Sequence, residues 1–342
     1  MTKLALATRI RFTIASFAIV LGAVCGLNST VANAEDNGQA FAISPPLVEL
    51  SADPGETVNA EIKLTNVSAG PLTMSAETNN FGSKNETGEP NIIFNDEPGQ
   101  DTRYTLKDWI VAPSDFTLQS KQTLSISVPI TVPKNAEPGG HYAVVRFTGT
   151  SAAASPQQVS LSASIGSLIL LKVSGDIKQQ AKVEDFYTAG SNFDKQSFFE
   201  VSPVSFVTRI RNEGNLHIKP TGTVTIRDMF GKEVATHRIN GDPSKEKEQP
   251  GSILPQSVRR FDVTHKDNLF GRYTATLDLS YGDGKTLSSS TQFWVLPYKL
   301  IIAIIVGLAL LIFGLVMCIK KYNAYIIKKA AANQQPPQSK TD

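Results

Sequence analysis

The stretch VNAEIKLT, residues 58–65, decides the fold. Val58, Ala60, Ile62 and Leu64 alternate with Asn59, Glu61, Lys63 and Thr65. Successive side chains of an extended chain point to opposite faces, so this period sets one face on a core and the other in water. The alternation returns at residues 204–211, where Val204, Phe206, Thr208 and Ile210 interleave with Ser205, Val207, Arg209 and Arg211. Residues 72–77, 124–132, 143–147, 159–173, 224–228, 258–263, 273–281 and 287–295 read as further strands, with the apolar run at 168–171 typical of an inner one. Turn chemistry separates them at Asp53-Pro54-Gly55-Glu56, at residues 66–71, at Phe230-Gly231-Lys232 and at Asp283-Gly284. Many short strands at regular spacing, with no helical periodicity among them, mean an all-β chain. We read two tandem immunoglobulin-like β-sandwich domains, at residues 41–174 and 183–295, with the crossing between them in 175–191.

Both ends of the chain read differently. Residues 300–319, LIIAIIVGLALLIFGLVMCI, carry no charge and match the roughly 20 apolar residues that a transmembrane helix needs. Lys299 precedes the run, Lys320 and Lys321 follow it, and Trp294 and Tyr298 lie where aromatic rings favour the membrane interface. At the other end come Lys3, Arg9 and Arg11, an apolar run at 12–21, and Ala32-Asn33-Ala34, the pattern of a secretory signal spanning residues 1–34. The expected topology is single-pass type I in the cell membrane. The β-rich part faces outward, and residues 320–342 form a short basic cytoplasmic tail, Gln- and Pro-rich and disordered from Ala332 onward. The sequence Gly22-Ala23-Val24 before Cys25 is a poor match to a lipobox.

Charge and cysteine content narrow the function. Nine of the 33 Lys and Arg lie in the leader, at Lys299 and in the tail, whereas only Asp342 of the 31 Asp and Glu lies there. The exported part therefore holds 24 basic against 30 acidic residues, which argues against a nucleic-acid or anionic-membrane role for its surface. The two cysteines, Cys25 and Cys318, fall in the leader and the span. The exported domains thus fold without disulfides, by burial alone, and hold no thiol for catalysis.

Candidate site residues are few. His141, His217, His237 and His265 show no metal-ligand spacing, and no G-x-S-x-G elbow occurs. No catalytic, cofactor-binding or metal residue is nominated, so no enzyme and no cofactor is expected. His141 and His217 follow Gly-bearing turns and read as packing residues sooner than surface contacts. Trp109 reads as a core ring sooner than a glycan-stacking one, and Tyr273 and Tyr281 share the apolar face of Ala275, Leu277 and Leu279. Residues 78–101 are rich in Asn, Gly, Glu, Asp and Pro around Ile92-Ile93-Phe94. They read as a long loop, either a contact region of the first domain or a mobile spacer. Asn95, Asp96, Glu97 and Asp101 supply some of the oxygens calcium needs, but their spacing matches no calcium loop, so a solvated loop is the better reading.

Pro45-Pro46, Pro54-Gly55-Glu56, Leu64-Thr65-Asn66, the Leu106 to Trp109 segment and Pro138-Gly139-Gly140-His141-Tyr142 mark the first domain. Asn212, Gly214-Asn215, His217, Pro220, Gly222 and Gly271-Arg272-Tyr273 mark the second. In order and spacing these resemble the WxL-interacting protein family of bacterial cell surfaces over nearly the whole chain. The resemblance implies a membrane-anchored surface protein without catalytic activity. Its first domain would bind cell-wall peptidoglycan, and its second a WxL-type surface protein or a host protein. The alternative is an assembly factor similar to the periplasmic pilus chaperones, also two such sandwiches, which complete a subunit's missing strand with an exposed edge strand. Those are soluble, so the span speaks against it. A signal receptor is disfavoured by the short tail, and a hydrolase by the lack of a nominable acidic pair.

Overall fold

The computed structural model of the protein describes residues 40–95, 102–151, 162–241, 245 and 249–332. The first sandwich is built from β1 (Phe41–Ser44), β2 (Leu47–Ala52), β3 (Thr57–Asn66), β4 (Leu72–Lys84), β5 (Glu89–Ile93), β6 (Phe116–Leu118), β7 (Thr123–Thr131), β8 (Gly139–Ser151) and β9 (Ser162–Val173). The second is built from β10 (Ala181–Ala189), β11 (Phe198–Phe199), β12 (Val204–Asn212), β13 (Thr221–Asp228), β14 (Glu233–Ile239), β15 (Val258–His265), β16 (Gly271–Tyr281) and β17 (Lys285–Val295). A helix, α1 (Tyr298–Ala332), follows directly.

The two sandwiches repeat one immunoglobulin-like strand order. The first stacks β1-β3-β7 on β2-β9-β8-β4-β5, with β6 also on β4. The second stacks β10-β12-β15 on β11-β17-β16-β13-β14. In each, the opening strand is split between the sheets. Its first half runs antiparallel to the next long strand, β1 to β3 and β10 to β12. Its second half crosses over and runs parallel to the last strand, β2 to β9 and β11 to β17.

Period two does the work along β3. Ala60, Ile62 and Leu64 are buried in the first core and Asn59, Glu61 and Lys63 are exposed. The second core centres on Phe293, with Phe206 edge-on at 5.5 Å and Tyr273 stacked at 5.6 Å. Tyr273 and Tyr281 lie inside, as expected, with their hydroxyls at the rim: the Tyr273 hydroxyl donates to Phe270 O, and the Tyr281 hydroxyl accepts from Ala181 N–H. A buried phenol keeps its place only with such a partner.

A buried asparagine ends the second-layer strand in both sandwiches. Asn66 Nδ2 donates to the carbonyls of Gly70, Leu118 and Gln119, and its Oδ1 accepts from Ser68 N–H. Asn212 Nδ2 donates to Leu216 and Ile253 carbonyls, and its Oδ1 accepts from Gly214 N–H. Each side chain closes its own turn and ties it to a facing loop.

Three expectations change. Residues 78–93 are no loop: β4 continues to Lys84, turns, and returns as β5. Asn79 and Asn80 are buried strand residues, and Asn80 Oδ1 accepts from Leu106 and Lys107 N–H at 3.0 and 2.9 Å. The polar composition signalled a loop, whereas distant backbone donors satisfy it. The crossing at 175–191 is shorter, because β10 already begins at Ala181. The helix outruns the apolar span and carries Lys320, Lys321, Lys328 and Lys329. It is long and apolar enough to cross a membrane, and its apolar stretch is not buried against either sandwich. The leader at 1–34, the acidic residues Asp96, Glu97 and Asp101, and residues 333–342 lie outside the described residues.

Truncating either asparagine leaves buried carbonyls without a donor, at a cost of about 2 kcal/mol or more each. Asn66→Ala and Asn212→Ala are expected to lower the denaturant midpoint of the full chain in detergent, each for its own sandwich, and a Ser at either position is expected to restore little.

Candidate functional site

The outer face of the sheet β2-β9-β8-β4-β5 is apolar where its partner sandwich lies against it. Phe81, Tyr142, Val144 and Leu170 are buried there, packed with Ile92, Leu168 and Leu254 of the second sandwich. β8 is therefore buried on both faces through Val145. A cleft of about 740 Å³ opens along this seam. Pro46, Leu47, Phe81, Leu168 and Leu170 line it from the first sandwich and Leu254 and Arg259 from the second.

Backbone contact fixes the seam. Gly140 N–H donates to Asn215 O at 2.8 Å. Gly139 sits at φ +135°, and a Cβ there would fall 2.5 Å from Asn215 O; one on Gly140 would fall 1.9 Å from the Tyr142 hydroxyl. Only glycine permits both the conformation and the approach. The Asn215 side chain donates to Pro138 O and Asp176 O and accepts from Lys178 N–H. One residue thus ties the first sandwich, the crossing and the second sandwich together.

Polar groups lock the same seam. Tyr142 hydroxyl accepts from His217 N–H at 3.0 Å, and burial pushes its pKa up. Glu49 on β2 lies 3.6 Å from His217 Nε2 and 2.6 Å from Lys219 Nζ. The His217 imidazole and the Lys219 ammonium hold the Glu49 carboxyl down to about 2. Glu86, at the tip of the β4–β5 hairpin, accepts from Arg209 Nε at 2.7 Å, and its carbonyl accepts from Arg260 N–H at 2.8 Å. That pairing with Arg209 lowers the Glu86 pKa. The segment expected as a contact loop thus contributes a hairpin whose tip contacts the second sandwich.

Arg259 differs from these. Its Nη1 donates to Ser252 O at 2.8 Å, its Nε is buried without a partner, and no carboxylate faces it among the described residues. Burial lowers its pKa. A Cβ on Gly88 or Gly251 would fall 2.1 or 2.6 Å from the guanidinium, so two glycine backbones flank it. The guanidinium lies over the Phe261 ring at 5.2 Å, and with no ion pair among the described residues it suits a carboxylate or a run of carbonyl oxygens arriving from outside.

The first sandwich also has an unfinished edge. β9 pairs with β8 along its length, but β2 joins its other side only from Leu168 onward. Along residues 162–166 no other strand pairs with that side among the described residues. The exposed stretch Ser162-Ala163-Ser164-Ile165-Gly166 holds no charge and no proline, the usual guards of an edge strand. It runs directly toward Leu168 and the cleft.

The other residues singled out in the sequence serve packing. His141 is buried, its ring nitrogens bound to the carbonyls of Thr105 and Glu137. Trp109 is half-buried against the first core, its ring 4.4 Å from that of His141. His237 Nε2 lies 3.0 Å from His265 Nδ1, with the His237 pKa lowered by burial and by His265. Asn95 is exposed. Among the described residues no three His, Cys, Asp or Glu side chains group to hold a metal. Glu49, Glu86, Arg209 and Arg259 carried no local signal, since their roles come from opposite sandwiches. The glycines of residues 138–142 and 212–215 did carry one, as two motifs that turn out to touch.

No family model matches the chain, and no curated protein does. Among solved structures, the class 5 fimbriae chaperone CfaA aligns at 14% identity, covering 75% of this chain and 100% of its own, with a TM-score of 0.38. The E. coli chaperone DraB aligns at 14%, covering 75% and 96%, with a TM-score of 0.32. The Salmonella enterica SafA pilin–SafB chaperone complex gives a match at 10%, covering 75% and 97%, with a TM-score of 0.33. Alignments this loose carry no argument about function.

Glu49 stabilises the seam only while ionised. Its contribution is full above the ordinary carboxylate value of 4.5 and is lost as pH falls through about 2. Glu49→Gln is therefore expected to lower the thermal midpoint near neutral pH, and the gap to the parent chain is expected to close as the solution is acidified through that range.

Proposed function

We propose that this chain is a membrane-anchored, non-catalytic binding protein. It holds an extended segment of a protein partner by strand addition to β9, as an assembly factor for surface subunits does. The observation that carries this reading is the unguarded edge at residues 162–166, which leads into the cleft beside Arg259. An added strand would satisfy the outward N–H and C=O groups of β9, while alternate side chains enter the apolar cleft. Arg259 would receive an acidic side chain or chain terminus of that segment. The leader and α1 would hold the sandwiches outside the cell, with residues 320–342 inside.

Other edges suit the task less well. The equivalent strand β17 runs beside β10 of the facing sheet more extensively than β9 runs beside the short β1. β14 carries Glu233, His237 and Arg238, and β5 carries Glu89 and Pro90. Peptidoglycan and a WxL-type or host protein stand as partners implied by the family resemblance. An open strand edge favours polypeptide, whose main chain repeats donors and acceptors at matching spacing.

A photo-crosslinking residue placed at Ser162 or Ser164 in intact cells is expected to capture one partner through consecutive residues of a single extended segment. Arg259→Ala is expected to weaken that partner about tenfold or more, the worth of one charge-assisted hydrogen bond. Crosslinks scattered over a folded surface, or none at all, would overturn the reading.

A further inference from the structure

The second sandwich keeps its exposed large apolar side chains at one end. Among the described residues they are Phe198, Val201, Met229, Phe230, Val234, Phe270 and Trp294. Exposure reaches 86% at Phe230, 69% at Phe270, 63% at Val201 and 61% at Met229. Strand register brings these positions together. β13 ends at Asp228 opposite Tyr273, so the Met229-Phe230 turn lies beside the start of β16. Phe270 immediately precedes Gly271, which pairs with Val295 at the end of β17. Phe198 pairs with Trp294, and Val201 follows before β12, whose first residue Val204 pairs with His265 at the end of β15.

That end is also where α1 departs. Only Leu296 and Pro297 separate β17 from the helix. Leu296 N–H donates to Phe199 O at 2.8 Å, the Tyr298 ring lies 6.3 Å from that of Phe198, and Lys299 Nζ lies 2.6 Å from Glu200. The first turn of the apolar helix is thus fastened to the same edge that bears the aromatic side chains. The opposite end, with the Gly282-Asp283-Gly284 turn, meets the crossing through Asp283 N–H to Gln179 and Lys285 Nζ to Gln179 O.

We infer that this end of the second sandwich rests in the headgroup region of the bilayer that α1 crosses, with Phe230 and Phe270 dipping furthest. The inference rests on α1 being a membrane anchor. Phe, Trp and Tyr side chains gain most at that depth, where ring and polar groups are both accommodated. Near this end Arg227, Lys232, Lys266 and Arg272 stand against Asp228, Glu233 and Asp267, close to balance, so burial of apolar surface drives the contact and net lipid charge matters little. The consequence is a fixed stance: a helix joined by two residues and a seated rim would hold the sandwich against swinging about its anchor.

The test uses the full chain with Cys25→Ser and Cys318→Ser in phosphatidylcholine nanodiscs. An environment-sensitive fluorophore is attached at Phe230→Cys and, for comparison, at Asp283→Cys. The expected result is a blue-shifted emission at position 230, quenched by nitroxide-bearing lipids, and water-like unquenched emission at 283. Anionic lipid is expected to change neither. Alkaline carbonate extraction of the same chain from cell membranes reads the anchor separately. Release into the supernatant sinks the anchor and this inference together. A retained chain whose residue-230 probe stays in water, or is shielded only by a second copy or another protein, overturns this inference alone.

Discussion

The backbone of Asn215 must reach the backbone at Gly139 and Gly140, and the arrangement of the two sandwiches follows from that contact. A side chain on Gly139 would push the second sandwich away, and one on Gly140 would displace the Tyr142 ring that meets His217. With the approach allowed, Gly140 donates across the seam, Tyr142 meets His217, and Glu49 comes within reach of Lys219. The apolar outer face around Phe81, Val144 and Leu170 then loses its water, which supplies the seam's hydrophobic share. None of these groups would hold the others without the glycine contact, because each is aimed by the same rigid pair of strands.

The repeated strand order explains why open edges occur at all. Each sandwich begins with a strand split between two sheets, and its second half, six residues in β2 and two in β11, is shorter than the last strand it joins, twelve residues in β9 and eleven in β17. β2 covers β9 only from Leu168 and β11 covers only the end of β17, so the first half of each last strand lacks a parallel neighbour. In the first sandwich that gap lies next to the seam cleft, where the Arg259 guanidinium has no ion pair among the described residues. In the second, the capped end of the last strand leads straight into α1. The same architectural economy therefore leaves one sandwich with a strand edge and the other with a tether.

Period two made β3, β16 and β17 legible, because each sets one face on a core and the other toward water, and it marked β12 although that strand's first half is buried on both faces. The alternation disappears where both faces are buried, as in β8, and misleads where polar residues are satisfied from afar. Asn79 and Asn80 belong to a strand, yet their partners are an arginine on β8 and backbone groups near Leu106, distant in sequence. Arg259 looked like any charged strand residue. Its isolation appears only once Gly88 and Gly251 from opposite sandwiches close around it.

By itself the sequence determined the all-β class, the turns at Phe230-Gly231 and Asp283-Gly284, the cores around Ile62 and Phe206, and an apolar helix at the end. These depend on periodicity, turn chemistry and hydropathy, which act between near neighbours in the chain. Only the tertiary structure decided that residues 138–142 and 212–217 meet, that β2 joins β9 only from Leu168, and that the exposed aromatics gather where α1 begins. Those facts depend on which distant backbones are close enough to exclude a Cβ or share a hydrogen bond, and local pattern carries no record of that.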